Sequence, residues 1–211
     1  MSGLLREDLG RKTYPAAWAI QKQRLADRIA GRIPDTALFV EHEPVYTVGR
    51  RRGAQANLLA VGDTPVVEVE RGGDVTWHGP GQLVVYPIVQ LPENHPDLHG
   101  YLRTLEEAVI RTCADFGLRA CRDSRNTGAW IRGHKVCSIG IACRRWVTWH
   151  GLALNVDPDL LAFDRINPCG LTQGVMTSMA RELGSPPEPS AVSATLFQHL
   201  ATLLPHGATT G

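Results

Sequence analysis

From Thr13 to Ile29, Tyr14, Trp18, Leu25 and Ile29 recur on one helical face, with Pro15 in the first turn and Gly31 past the end. That spacing predicts a helix. Ala37-Leu-Phe-Val-Glu41 reads as a strand, and Pro44 interrupts before a second one at Val45-Tyr-Thr-Val48. Val66-Val-Glu-Val69 predicts another. Leu83-Val-Val-Tyr-Pro-Ile-Val-Gln-Leu91 is strongly apolar and strand-like. Pro87 cannot donate to a ladder, so the expected place of this strand is a sheet edge or a bulge. Leu98, Leu102, Leu105, Val109 and Phe116 then keep helical spacing between a capping Asp97 and a terminating Gly117.

Strand-like patterning returns at Ala129-Trp-Ile131, turns at Arg132-Gly133, and continues through Lys135-Val-Cys-Ser-Ile-Gly-Ile-Ala-Cys143. This predicts a hairpin. Val147 to Val156 is a further strand, and Gly140 and Gly151 interrupt the two runs either as bulges or as points of close approach. The stretch after Cys169 through Met179 is ambiguous between strand and helix. Ser185-Pro-Pro-Glu-Pro189 is a stiff connector, and Ser190 is the expected cap of a last helix bearing Val192, Leu196, Leu200 and Leu203. Strands and helices neither alternate strictly nor segregate. The expected fold class is α+β, with a mixed, mostly antiparallel sheet packed by helices. No linker divides the 211 residues, so a single domain over 1–211 is expected.

Composition narrows the partners. A net charge of +1 with 20% charged residues lacks the basic excess of a general nucleic-acid binder. No long apolar run predicts a membrane span or a secretory signal. Five cysteines without a CxxC pair suit free thiols in a reducing compartment, and a cytoplasmic protein is expected. His42, His78, His150 and the cysteines show no ligand-pair spacing, so no metal site is expected. Arg50, Arg51 and Arg52 are a basic cluster, either a solvated loop or a docking patch for an acidic partner.

Two stretches carry candidate chemistry. Arg165-Ile-Asn-Pro-Cys-Gly170 sets Cys169 between a proline and a glycine, which predicts a thiol on a rigid turn. Arg71-Gly-Gly-Asp-Val-Thr-Trp-His-Gly-Pro-Gly-Gln82 holds four glycines and a proline in twelve positions, together with polar side chains that are costly in an idle turn. Glycine allows close backbone approach to a ligand, so a binding loop is expected there, without P-loop or Rossmann spacing. A nucleophilic thiol needs a partner to activate it. His78, His150 and Lys135, one of only three lysines, all qualify. Residue chemistry alone leaves them open.

Those two stretches, with Gly133-His-Lys-Val-Cys-Ser-Ile-Gly140 and Trp149-His-Gly-Leu-Ala-Leu-Asn155, resemble in their order the lipoyl(octanoyl) transferases. The likeness runs from about residue 40 to about residue 180. The resemblance implies the fold of the biotin and lipoate protein ligase catalytic domains. It also implies transfer of an octanoyl group from octanoyl-acyl carrier protein to a lysine of a lipoyl domain. Acceptors would be the lipoyl domains of 2-oxoacid dehydrogenase complexes and the glycine cleavage H protein, and no cofactor is implied. By the same resemblance Cys169 is the acyl-thioester nucleophile and Lys135 its activating partner. Arg71, Gly72, Gly73, Asp74, Val75, Thr76, Trp77 and His78 would line the acyl pocket with Ser138, Ile139, Gly140, Gly151, Leu152 and Ala153. An ATP-dependent lipoate or biotin ligase and a non-catalytic acyl-carrier binding module are the alternatives.

Overall fold

The computed structural model describes residues 3–92, 94, 96–167 and 174–204. Six strands form the main sheet in the order β1-β2-β6-β9-β8-β7. They are β1 (Leu5–Lys12), β2 (Thr36–His42), β6 (Gln82–Ile88), β7 (Gly128–Ile131), β8 (His134–Arg144) and β9 (Val147–Asn155). Only the β1·β2 pair is parallel, bridged by α1 (Tyr14–Ile29); the rest of this sheet is antiparallel. A smaller sheet pairs β4 (Val66–Glu68), β3 (Val45–Val48) and β5 (Val75–His78) in the order β4-β3-β5. The expected α+β class with a mixed, mostly antiparallel sheet is observed.

Alternation along the strands sorts side chains onto two faces. One face packs against α2 (Leu98–Asp115) and α4 (Pro189–Leu203) through Leu105, Val109, Cys113, Leu152, Leu154, Leu196 and Leu200, all fully buried. The other meets α1 through Ala17, Leu25, Val40, Val84, Tyr86 and Ala153. The small sheet has its own core of Tyr46, Trp77, Trp130, Phe163 and Met176. The remaining helix, α3, is the short Met179–Leu183.

Three features depart from the sequence expectations. Strand β1 has no counterpart among them: its charged residues Arg6, Glu7, Asp8 and Arg11 lie along an edge whose sequence lacks apolar alternation. Strand β6 is central, not an edge, despite Pro87. The β6·β9 ladder stops at Val85↔Leu152 and resumes at Gln90↔Val147 in unchanged register, so the missing donor of Pro87 falls in the gap, opposite His150. The His150 N–H donates instead to Oε1 of Gln21 from α1, at 3.1 Å. Finally, Glu188 and not Ser190 caps α4; Pro189 takes the first helical turn, where its missing N–H costs nothing.

Candidate active site

A slot runs along the α1 face of β8 and β9, covered by the segment from Arg71 to Thr76. Close backbone approach builds it. A Cβ on Gly140 would lie 2.9 Å from the Gly72 carbonyl oxygen, and the Gly72 N–H donates to the Ile141 carbonyl at 2.8 Å. The covering segment thus crosses β8 where there is no side chain. At Gly151 the close neighbour is the adjacent strand β6, since a Cβ there would collide with the Val85 carbonyl oxygen. The two glycines face each other in the register. They line the slot, but what they admit directly is protein backbone.

Lys135 sits at one end, 5% exposed. Its Nζ donates to Oδ1 of Asn126 at 2.8 Å and lies 5.6 Å from the Trp130 ring centroid. The stem passes Gly128, where a Cβ would come 2.8 Å from Lys135 Cε. The Lys135 N–H donates to the Val175 carbonyl at 2.7 Å, so the strand end carrying the amine is tied to the chain that follows residues 168–173. Cys169 itself lies outside the described residues.

The opposite end of the slot is polar. Tyr14, His42, His78, Tyr86 and His150 cluster there, with ring centroids 5.0 to 6.4 Å apart. His42 Nε2 and the Tyr86 hydroxyl share a hydrogen bond of 2.6 Å, and its Nδ1 lies 3.2 Å from the Lys12 carbonyl. His78 Nδ1 meets Gln82 Oε1 at 2.7 Å, and Gln82 continues through Asn155 to the Thr177 carbonyl. Burial pushes these imidazoles toward the neutral form: His42 to about 4, His150 to about 3, and His78 well below its usual value. Burial likewise raises the Tyr14 hydroxyl to about 12. Arg71 is the fixed positive charge, with Nη2 donating to the Thr47 carbonyl at 2.9 Å and to its hydroxyl at 2.8 Å.

Of the residues singled out in the sequence, Arg71, Gly72, Gly73, Asp74, Val75, Thr76, His78, Ser138, Ile139, Gly140, Gly151, Leu152 and Ala153 border this slot. Trp77 does not. It points from β5 into the small-sheet core and meets the Phe163 ring edge-on at 5.5 Å. Asp74 serves the framework as well: its carboxylate accepts from Asn57 and from the Val75 N–H, and Arg51 lies 3.4 Å away. Sequence reasoning missed Tyr14, Tyr86 and Asn126. Tyr14 and Tyr86 sit within apolar runs and read as core, while Asn126 is one polar residue in a polar loop. His150, weighed as a base beside Lys135, stands opposite Ile141, six residues further along β8 than Lys135. Among the described residues no His, Cys, Asp or Glu side chains are grouped to hold a metal ion, and no helix is long and apolar enough to cross a membrane.

The family model of the lipoyl protein ligase A/B catalytic domain matches residues 13–201. An octanoyltransferase of Geobacter metallireducens is 50% identical over 183 residues, covering 87% of this chain and 85% of that protein. This chain belongs to the octanoyltransferase branch of that family. A second octanoyltransferase, from Gloeobacter violaceus, is 51% identical over 167 residues, covering 79% of this chain and 75% of its own. A bipartite lipoate protein ligase of Thermoplasma acidophilum shares the fold at a TM-score of 0.74 and 16% identity, over 96% of this chain and 84% of that one. Membership makes the chain an acyltransferase.

Proposed function

We propose that this octanoyltransferase carries its acyl group on Cys169, taking octanoyl from octanoyl-acyl carrier protein and passing it to a lysine of a lipoyl domain. The first exchange forms a Cys169 thioester and releases the carrier thiol. In the second, the acceptor amine attacks that thioester, the amide forms, and the thiol of Cys169 returns. The donor is already activated, so the reaction needs no ATP. Lipoyl domains of 2-oxoacid dehydrogenase complexes and the glycine cleavage H protein are the proposed acceptors.

The observation that carries this reading is Lys135. Its amine is buried at one end of a slot whose walls include Val84 and Ala153. A free thiol has a pKa of about 8.5, and a nearby ammonium favours the thiolate. Once the thiol is acylated that pairing is gone, and a poorly solvated ammonium releases its proton more readily, so Lys135 then serves as base for the incoming amine. Burial of the acyl chain contributes roughly 0.8 kcal/mol per CH₂. The exposed Arg50 and Arg51 are fastened to the slot's cover, their N–H groups donating to the Arg71 and Gly73 carbonyls at 3.1 and 3.0 Å. Held there, the Arg50–Arg52 cluster is suited to meet an acidic carrier.

Intact-mass measurement with an octanoyl thioester tests the reading. The expected result is one octanoyl adduct without ATP, transferred on addition of a lipoyl domain and absent in Cys169→Ala. Full transfer by Cys169→Ala, or transfer strictly requiring ATP, would overturn it.

A further inference from the structure

Three histidines are buried around the polar end of the slot, and they are not equivalent. His42 and His78 each have both ring nitrogens within hydrogen-bonding distance of a named protein atom. His150 is 1% exposed, lines the slot, and has no hydrogen-bond partner at either Nδ1 or Nε2. Nor is it alone in this. Oε2 of Glu70 lies 3.7 Å from His150 Nε2, too far for a direct bond, and is itself without a partner. Nε2 of Gln21, whose other amide atom accepts from the His150 N–H, is also unsatisfied. Buried polar atoms are rarely left so, and an imidazole and a carboxylate oxygen 3.7 Å apart can both hydrogen-bond to one small group set beside them.

We propose that His150, Gln21 and Glu70 form a subsite for a neutral hydroxyl at the slot's end remote from Lys135, so that the slot accepts medium-chain acyl groups bearing an ω-hydroxyl. The donor set selects the ligand. Burial keeps His150 neutral, so the ring supplies one donor and one acceptor. Gln21 Nε2 donates, and Glu70 Oε2 accepts. A hydroxyl both donates and accepts, and it fits all three. A terminal charge of either sign would meet both the Glu70 carboxylate and the cations Arg71 and Lys22 that act on His150, and would have to be desolvated, a cost that a neutral hydroxyl avoids. Water offers the same chemistry as a hydroxyl, and a plain octanoyl chain leaves the subsite to water. His150 is held for this task by its backbone. Its φ of 56° is left-handed in the middle of β9, opposite Pro87, and the peptide N–H is caught by Gln21.

The inference rests on the slot being an acyl site, so its test reads binding as well as turnover. Equilibrium dissociation constants are measured for octanoate against 8-hydroxyoctanoate, and for decanoate against 10-hydroxydecanoate. The proteins are the wild type, His150→Leu, His150→Asn, Gln21→Leu and Glu70→Gln. The preference for the hydroxy acid is expected to fall about tenfold or more in His150→Leu, as for a site that loses its hydrogen-bonding partner. It should be partly restored in His150→Asn, which tolerates the left-handed backbone, and should fall in the same direction in Gln21→Leu and Glu70→Gln. A preference that stays constant across all four variants, with the acids still bound, overturns the subsite and assigns these atoms to water alone. Binding of octanoate without 8-hydroxyoctanoate overturns the subsite and leaves the octanoyl reading standing. Binding of neither acid to the wild type overturns both.

Discussion

On one face of the six-stranded sheet, Leu105, Val109, Leu154, Leu196 and Leu200 meet with no polar atom to satisfy. On the other, His42, Gln82, Tyr86, His150 and Asn155 are buried just as deeply, with His78 of the small sheet beside them, and their polar atoms call for partners. The first face follows from patterning alone, because burial is roughly proportional to apolar area and does not depend on direction. The second depends on angles and distances: Gln82 is useful only because His78 stands 2.7 Å from one amide atom and Asn155 stands 2.9 Å from the other. Such networks specify one arrangement and cost stability when incomplete. Their concentration on the α1 face sets that side of the sheet apart and is where the proposed acyl site lies.

The largest effect expected from disturbing either face is catalytic and confined to the slot. Lys135→Ala should lower transfer to a lipoyl domain by about 100-fold or more, the usual range for a lost acid–base group. Lys135→Arg separates two roles, since arginine keeps a cation but does not deprotonate. Single-turnover measurements should find acylation of Cys169 partly retained in Lys135→Arg and the second half-reaction lost. Both half-reactions unharmed in both variants would return Lys135 to a structural role.

Truncation on the dry face should do the opposite. Leu105→Ala removes a fully buried side chain of α2 and should cost about 2–5 kcal/mol of stability. Denaturant unfolding would register this as a lower midpoint at unchanged slope, while kcat/KM of the folded fraction should hold within about twofold. A large loss of kcat/KM in the folded fraction would mean that the two faces are coupled.

Acid should divide the faces too. An imidazole whose pKa is lowered by folding contributes stability fully present above its unfolded value near 6.5. That contribution is lost as pH falls through the folded values, about 4 for His42 and about 3 for His150. Stability should therefore decline from about pH 6.5 toward about pH 4, each buried histidine costing at most roughly 1.4 kcal/mol for every pH unit crossed. His42→Gln, which cannot titrate, should flatten part of that slope in thermal melts. An unchanged slope would mean that the acid sensitivity lies elsewhere.

How far the sequence reveals each face follows from the same physics. The helices α1, α2 and α4 and the hairpin β7–β8 are legible because periodicity encodes a buried side directly. Strand β1 is not legible: as a parallel edge it buries little, and its pattern is set by ion pairs such as Arg11–Glu41 across to β2. Pro87 misleads because the compensation, a left-handed His150 and a glutamine from α1, lies over sixty residues away in each direction. The slot's motif residues could be named from resemblance, yet not their division of labour. Trp77 belongs to the small-sheet core, Asp74 ties the cover to Asn57, and the two glycines admit backbone. Asn126, which meets the Lys135 amine, gives no signal in one sequence, because only the fold brings it within 2.8 Å.

The smallest effect concerns the outer rim. Arg50 and Arg52 are exposed, whereas Arg51 lies 3.4 Å from the buried Asp74 carboxylate and so also supports the cover. Exposed charges act chiefly on encounter and are screened over about 8–10 Å at ordinary ionic strength. The double variant Arg50→Gln, Arg52→Gln should therefore lower kcat/KM for a carrier-bound octanoyl donor by about three- to tenfold at low salt, with the deficit shrinking as salt rises. A small octanoyl thioester, which has no acidic surface to steer, should react at the wild-type rate. Arg51→Gln should behave differently, reducing the rate with both donors, because it also loosens the segment that covers the slot. Equal losses with both donors in the double variant would make all three arginines part of the cover and remove the docking role. Equal rates with both donors in all variants would leave the cluster a solvated loop.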